Sequence, residues 1–147
     1  MDSIDQSQSD LPSLLASLRW RFANACDAAG IELVWEMDEL ANVPPQEADF
    51  VLSVARILQE IVTNCLKHSR SSQLRIQAQA NGPVDGVASL TLKVTDDGKG
   101  FDASAAQPGR GLQNIRQRMA ELNGEFDIAS GHQGTAVTLR IPYAAGK

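Results

Sequence analysis

Cysteine is scarce: Cys26 and Cys65 are the two in a chain of 147 residues, and each falls within a helical pattern. That is too few for a disulfide framework, so reduced thiols in a cytoplasmic compartment are expected. No apolar run approaches the roughly 20 residues of a membrane span. The opening MDSIDQSQSD also lacks the basic and apolar regions of a secretory leader, so no membrane contact is expected. Basic charge is in deficit: 13 Lys and Arg against 18 Asp and Glu give a formal charge of −5. A duplex nucleic-acid partner is unexpected, because such proteins present a basic face to phosphates. A small anion held by a few local groups is compatible with that charge. There is no Gly-x-x-x-x-Gly-Lys-Ser/Thr, which excludes a P-loop, and neither an internal repeat nor a low-complexity linker. What is present, 43% hydrophobic residues in 147, suffices for one domain with a real core.

Residues 1–10 are polar and expected to fray; 11–143 read as the single domain, with 144–147 as a tail. Leu11, Leu14, Leu15, Leu18, Phe22, Ala25, Cys26 and Ala29 recur at helical spacing, with Asp10 as N-cap and Gly30 as the stop. Ile31, Leu33, Trp35 and Met37 then alternate as a half-covered strand. A longer helix is predicted from about Glu47 to Ser69, its core side carrying Phe50, Val54, Ile57, Leu58, Ile61 and Cys65. Leu74, Ile76, Ala78, Ala80 and Ala88, Leu90, Leu92, Val94 read as a hairpin joined through NGPVDG. Leu112, Ile115, Met119 and Leu122 mark a helix ending at Asn123-Gly124. Two strands follow, around Phe126 and Ile128 and around Thr135, Val137, Leu139 and Ile141. Together these predict an α+β two-layer sandwich, a mixed, mostly antiparallel sheet with helices on one face. Gln73, Arg75, Gln77, Gln79 and Ser89, Thr91, Lys93, Thr95 supply its polar face.

Three places could carry chemistry. On the long helix Glu60, Asn64, Lys67 and His68 share an arc of about 100°, at 3.6 residues per turn. A carboxylate and an amide oxygen one turn apart offer the hard ligands magnesium prefers, and a lysine a turn on can meet phosphate. Taken singly, Glu60 and Asn64 read more readily as solvated side chains, and Lys67, His68 and Arg70 as complements of the helix dipole. The segment Thr95-Asp96-Asp97-Gly98-Lys99-Gly100 is at least a tight turn leaving a strand. Gly98-x-Gly100-x-x-Ala103, with Glu121 about 20 residues on, also matches a dinucleotide fingerprint. Pro108 and Gly109 interrupt the helix that fingerprint must open, and Glu121 falls inside the next helix, so the context argues against it. Gly109 and Gly111 open a helix whose free N–H groups would suit phosphate, or simply punctuate a loop. The segment between the two glycine turns is placed to close over a ligand.

Four blocks, in order, resemble the ATP-binding domain of sensor histidine kinases in the GHKL ATPase superfamily, most closely the nitrate/nitrite-sensor subfamily. They are QEIVTNCLKHS, DDGKGF, GRGLQNIRQRM and GHQGTAVTLRIP, spanning about residues 50 to 142. The resemblance implies the histidine kinase-like ATPase fold, ATP and Mg2+. It implies that Asn64 ligates magnesium and that Glu60 orients the ion's water or acts as a base. Lys67 and His68 would lie near the phosphates, and Asp96 would accept from the adenine amino group. Gly98 and Gly100 would allow the nucleotide close approach, Thr135 would support the base, Gly109 and Gly111 would sit under the phosphates as part of the lid, and Leu112 would join the nucleotide site. The two glycine turns would then hold opposite ends of one nucleotide.

The chain departs from the family in several places. Its segment DASAAQP has no basic residue before Arg110, and Cys65 stands where the family has a small residue such as alanine, facing the core. The reactive histidine followed by an acid is missing: His68 precedes Ser69-Arg70, and His132 sits in the turn SGHQG. The implied role is the ATP-binding catalytic part of a two-component sensor kinase. It would act on a histidine in a separate dimerisation domain, of the same longer protein or in trans, and indirectly on a response regulator. An alternative is an anti-sigma-factor-like GHKL serine kinase or ATP-dependent protein-binding regulator.

Overall fold

The structure is a computed structural model and describes residues 8–9, 11–38, 43, 46–68, 71–84, 87–98, 110–131 and 134–143. Helix α1 spans Leu11–Ala29, and Leu11, Leu15, Leu18, Phe22 and Cys26 form its buried stripe. Ala25 and Ala29, expected on that stripe, are exposed. The larger side chains set the rotation of the helix, and alanine gains least from burial. Gly30 closes α1 at φ 75. Its N–H reaches the Asp27 carbonyl at 3.1 Å, while the Ile31 N–H reaches Cys26 at 2.8 Å. This paired closure needs a left-handed residue, which glycine adopts at little cost. Asp10, the expected N-cap, lies outside the described residues.

Strand β2 is Glu32–Asp38 and helix α2 is Ala48–His68. Val51, Val54, Ala55, Ile57, Leu58, Ile61, Val62 and Cys65 are buried along α2. Asp49 lies in its first turn, where a carboxylate complements the helix dipole. One pairing was not anticipated. Gln8–Ser9, within the stretch expected to fray, forms β1 and pairs antiparallel with β3, Gln46–Glu47, just before α2.

The main sheet has the order β2-β4-β5-β7-β6, where β4 is Gln73–Val84, β5 Val87–Asp96, β6 Glu125–Gly131 and β7 Gly134–Tyr143. β2 runs parallel to β4, with α2 in the crossover that a parallel pair requires, and the other pairs are antiparallel. Hence the sheet is mixed and mostly antiparallel, with the helices over one face. The β4–β5 hairpin is longer than expected: residues 81–84 belong to β4, with a register shift between Asn81 and Val84. A bulge is one of the few strand positions where Pro83 is tolerated, and the Thr91 hydroxyl donates to Asn81 Oδ1 at 2.7 Å beside it.

Leu74, Ile76 and Ala78 of β4 face the helices together with Ala88, Leu90, Leu92 and Val94 of β5 and Val137, Leu139 and Ile141 of β7, all buried. Phe126 and Ile128 of β6 pack against this core from the edge. The opposite face is polar as expected. There Gln73 donates to Glu32 at 2.9 Å and Arg75 pairs with Glu36 at 3.8 Å, an exposed contact of small energetic weight. Helix α3, Arg110–Glu121, buries Ile115 and Met119. It ends on Asn123 at φ 58, with the Gly124 N–H on the Met119 carbonyl at 2.8 Å. A Cβ on Gly124 would stand 2.7 Å from Met119 Cε and 2.8 Å from the Arg140 carbonyl oxygen, so the helix end and β7 meet where only glycine fits.

Candidate functional site

Among the described residues the buried polar side chains are Gln46, Asp96 and Thr135. Asp96 and Thr135 are direct partners across β5 and β7, and Leu74 is the partner of Asp96 on β4. Asp96 is in phase with Leu90, Leu92 and Val94, so strand alternation turns its carboxylate inward, to the face covered by helices. Both residues are 3% exposed. A carboxylate in an apolar layer is costly unless hydrogen-bonded. Here the Gly98 N–H donates to Oδ1 at 2.9 Å and the Cys65 thiol to Oδ2 at 3.3 Å.

The thiol comes from α2, so this contact brings the helix bearing Glu60 and Asn64 to the end of β5 where Asp96 sits. Glu60 and Asn64 are half-buried, and Lys67 is exposed. His68 is the last residue of α2, and its side chain lies outside the described residues, as do Gly100 and Gly109. Gly111 and Leu112 occupy the first turn of α3, which packs against α2. The fold therefore gathers Asp96, Gly98 and Thr135 at one end of the sheet. Cys65 ties α2 to that end, one residue beyond Asn64.

Burial first, then the neighbouring Asp96 charge, pushes the Cys65 thiol far up, and burial also raises Cys26. Both are neutral thiols at ordinary pH. Sequence reasoning put Cys65 in the core but missed its bond to Asp96, because the two are 31 residues apart and no local pattern links them.

Asp97 was passed over as well. It points the other way from Asp96 and is exposed. It accepts from the Ser72 N–H at 2.8 Å, the Gln73 N–H at 2.9 Å and the Ser72 hydroxyl, fastening the start of β4 to the end of β5. The hydrogen bond from the Ser72 hydroxyl, then that from the Gln73 backbone, holds its carboxyl below the ordinary value of 3.8. A carboxyl depressed on folding contributes stability above its unfolded value, and that contribution is lost as pH falls through the lower folded value. Asp97→Asn is expected to cost about 1 kcal/mol at neutral pH, after allowance for solvent exposure. The difference between the two proteins should shrink as pH drops below about 3.8. Urea unfolding from pH 7 to pH 3 checks this, and a difference that grows on acidification would contradict it.

Gly134 was read only as part of the block GHQGTAVTLRIP, with no role of its own, although it precedes Thr135 at the start of the last strand. Its φ is 128, and a Cβ there would overlap the Asp96 carbonyl oxygen. The backbones of β5 and β7 meet at this point more closely than any side chain allows.

As a metal site, α2 offers one carboxylate and one amide oxygen. Among the described residues no three His, Cys, Asp or Glu side chains cluster as a cage. Such a donor set fits magnesium, which keeps several waters and is completed by phosphate oxygens, better than a metal held by protein alone.

Residues 51–145 match the family described as Histidine kinase-, DNA gyrase B-, and HSP90-like ATPase. The chain belongs to this family. The chain is 30% identical over 141 residues to the sensor histidine kinase MctS of Rhizobium johnstonii, covering 93% of this chain and 28% of that protein. It is 31% identical over 110 residues to the signal transduction histidine-protein kinase/phosphatase UhpB of Salmonella typhimurium, covering 75% of this chain and 20% of that one. The chain thus spans about a quarter of these relatives' length. Its fold matches the histidine kinase domain of the Erythrobacter litoralis blue-light-activated kinase with a TM-score of 0.75 at 19% identity, over 96% of this chain and 66% of that one.

Proposed function

We propose that this domain binds Mg-ATP and supplies the γ-phosphoryl group to a histidine on a separate dimerisation domain, as the catalytic part of a two-component sensor kinase. The observation that carries the ATP reading is Asp96: a carboxylate 3% exposed in an apolar row, held by donors and partnered by Thr135. A buried carboxylate with acceptor positions left suits an amino-bearing ligand, whereas an apolar residue there would pack at lower cost. In this reading Asp96 accepts from the adenine 6-amino group and Thr135 supports the base. Gly98 and Gly100 would allow the nucleotide close approach, since glycine adds no side chain. Gly109, Gly111 and Leu112 place the amino end of α3 under the phosphates, where free N–H groups and the helix dipole favour an anion. In the same reading Lys67 and His68 meet the phosphates from the end of α2, and Glu60 orients the ion's water or acts as a base.

Glu60 and Asn64 would hold the magnesium ion, whose contribution is to neutralise charge on the transferring phosphoryl group. The protein's part is positioning: the two ends of the nucleotide are fixed so that the γ-phosphate can be met in line by an external nucleophile. The partner is the phosphoacceptor domain, and through it a response regulator, in the cytoplasm. Among the described residues no helix is long and apolar enough to cross a membrane.

Calorimetry with ATP, with and without magnesium, tests the binding reading. Asn64→Ala is expected to remove the enhancement of ATP binding by magnesium while the thermal unfolding temperature stays near wild type, since near-octahedral coordination tolerates a missing ligand poorly. Wild-type enhancement in that variant would place the metal elsewhere.

A further inference from the structure

We propose that Cys65 is a positioning residue for base recognition: its thiol, donating to Asp96, holds the carboxylate in the plane that reads the purine 6-amino group. The inference rests on the reading of Asp96 given above and adds a determinant on a different element. Two donors grip the carboxylate, one on each oxygen. The Gly98 N–H comes from the chain just after β5 and meets Oδ1 at 2.9 Å, and the Cys65 thiol comes from α2 and meets Oδ2 at 3.3 Å. Rotation about the last bond of an aspartate is broad and roughly two-fold, so one donor leaves the plane of the carboxylate free to swing. A second donor on the other oxygen fixes it.

The second donor is itself held firmly. Cys65 is 8% exposed, and Ile57, Leu58, Ile61 and Val62, at most 2% exposed, anchor the preceding turns of α2 in the core. The helix that carries Asn64 therefore also sets the orientation of Asp96. Neither donor saturates the site, because a carboxylate accepts at about four lone-pair positions. An incoming amino group still finds an acceptor, in a direction chosen by the thiol.

The test compares ATP with purine riboside 5′-triphosphate, which lacks the 6-amino group, on the full chain by calorimetry. Wild type is expected to prefer ATP. Cys65→Ala should lose about 2- to 10-fold in ATP affinity, less than for a full charged hydrogen bond because a thiol is a weak donor. It should lose less than about twofold for the purine analogue, because that ligand never uses the carboxylate. Cys65→Val fills a similar volume without a donor and should behave like alanine, so a folding defect in one variant does not remove the test. Cys65→Ser keeps a donor and should restore the preference for ATP. Equal losses for both triphosphates, or serine behaving like alanine and valine, would assign Cys65 to packing alone and overturn the inference. A wild type that prefers ATP, with alanine and valine variants that keep the full preference, would also overturn it while leaving Asp96 as the base reader. A wild type that does not distinguish the two ligands would overturn the reading of Asp96, and the inference with it.

Discussion

Replacing Asp96 by asparagine is expected to weaken ATP binding by about 10- to 150-fold, the cost of losing a hydrogen bond to a charged acceptor, roughly 1.5–3 kcal/mol. The geometry explains why so small a change matters. The Gly98 N–H and the Cys65 thiol donate to different oxygens of the carboxylate. An amide has one oxygen, so it can answer only one of them and must turn its NH2 toward the other. In a place 3% exposed, water does not repair the mismatch. The adenine amino group would then meet a site that already has a donor too many. An unchanged dissociation constant in the variant would remove Asp96 from the base site.

Gly134→Ala carries the largest expected effect on stability. Its φ of 128 lies where side chains are rarely accommodated, and the added Cβ would overlap the Asp96 carbonyl oxygen and stand 2.9 Å from the Asp96 carbonyl carbon and 3.1 Å from Asp97 Cα. These neighbours are backbone, so no side-chain rotation relieves the clash. Overpacking costs about 1–3 kcal/mol and backbone strain a similar amount, which sums to about 3 kcal/mol or more. Relief requires β5 and β7 to part at the Asp96–Thr135 pair, so ATP affinity should fall together with the urea midpoint. A loss of less than about 1 kcal/mol, with ATP affinity kept, would show that the close approach is not needed.

The two neighbouring aspartates show what could be read in the chain and what could not. Counting alternate residues from Leu90 and Leu92 turns Asp96 inward and Asp97 outward, so the inward carboxylate could be picked out by parity alone. What Asp97 fastens could not be read, because Ser72 and Gln73 lie about two dozen residues away. The same limit hid the bond from Cys65. The stripes of α1 and α2 were legible because large apolar residues at helical spacing leave a helix one way to face the core. The β1–β3 pair was not, since two residues of Gln and Ser carry no period. Gly82-Pro83 reads locally as a turn, yet the register shift there lets both strands continue to Val84 and Val87. The parallel pairing of β2 with β4 was also silent in the pattern, because alternation is the same for parallel and antiparallel neighbours.

The most direct test of the central claim is phosphotransfer from γ-labelled Mg-ATP, with this chain alone and with the dimerisation and phosphoacceptor domain of a sensor histidine kinase supplied in trans. Transfer depends on holding nucleophile and leaving oxygen in line. His68 ends α2, the helix of Glu60 and Asn64, and in this account it binds phosphate from the side. His132 falls between β6 and β7 in the sequence, outside the motifs assigned to the phosphates. The account predicts no label on the isolated chain and acid-labile label on the supplied domain, lost when that domain's reactive histidine is replaced. Acid-labile label on the isolated chain that disappears in His68→Ala or His132→Ala would contradict it.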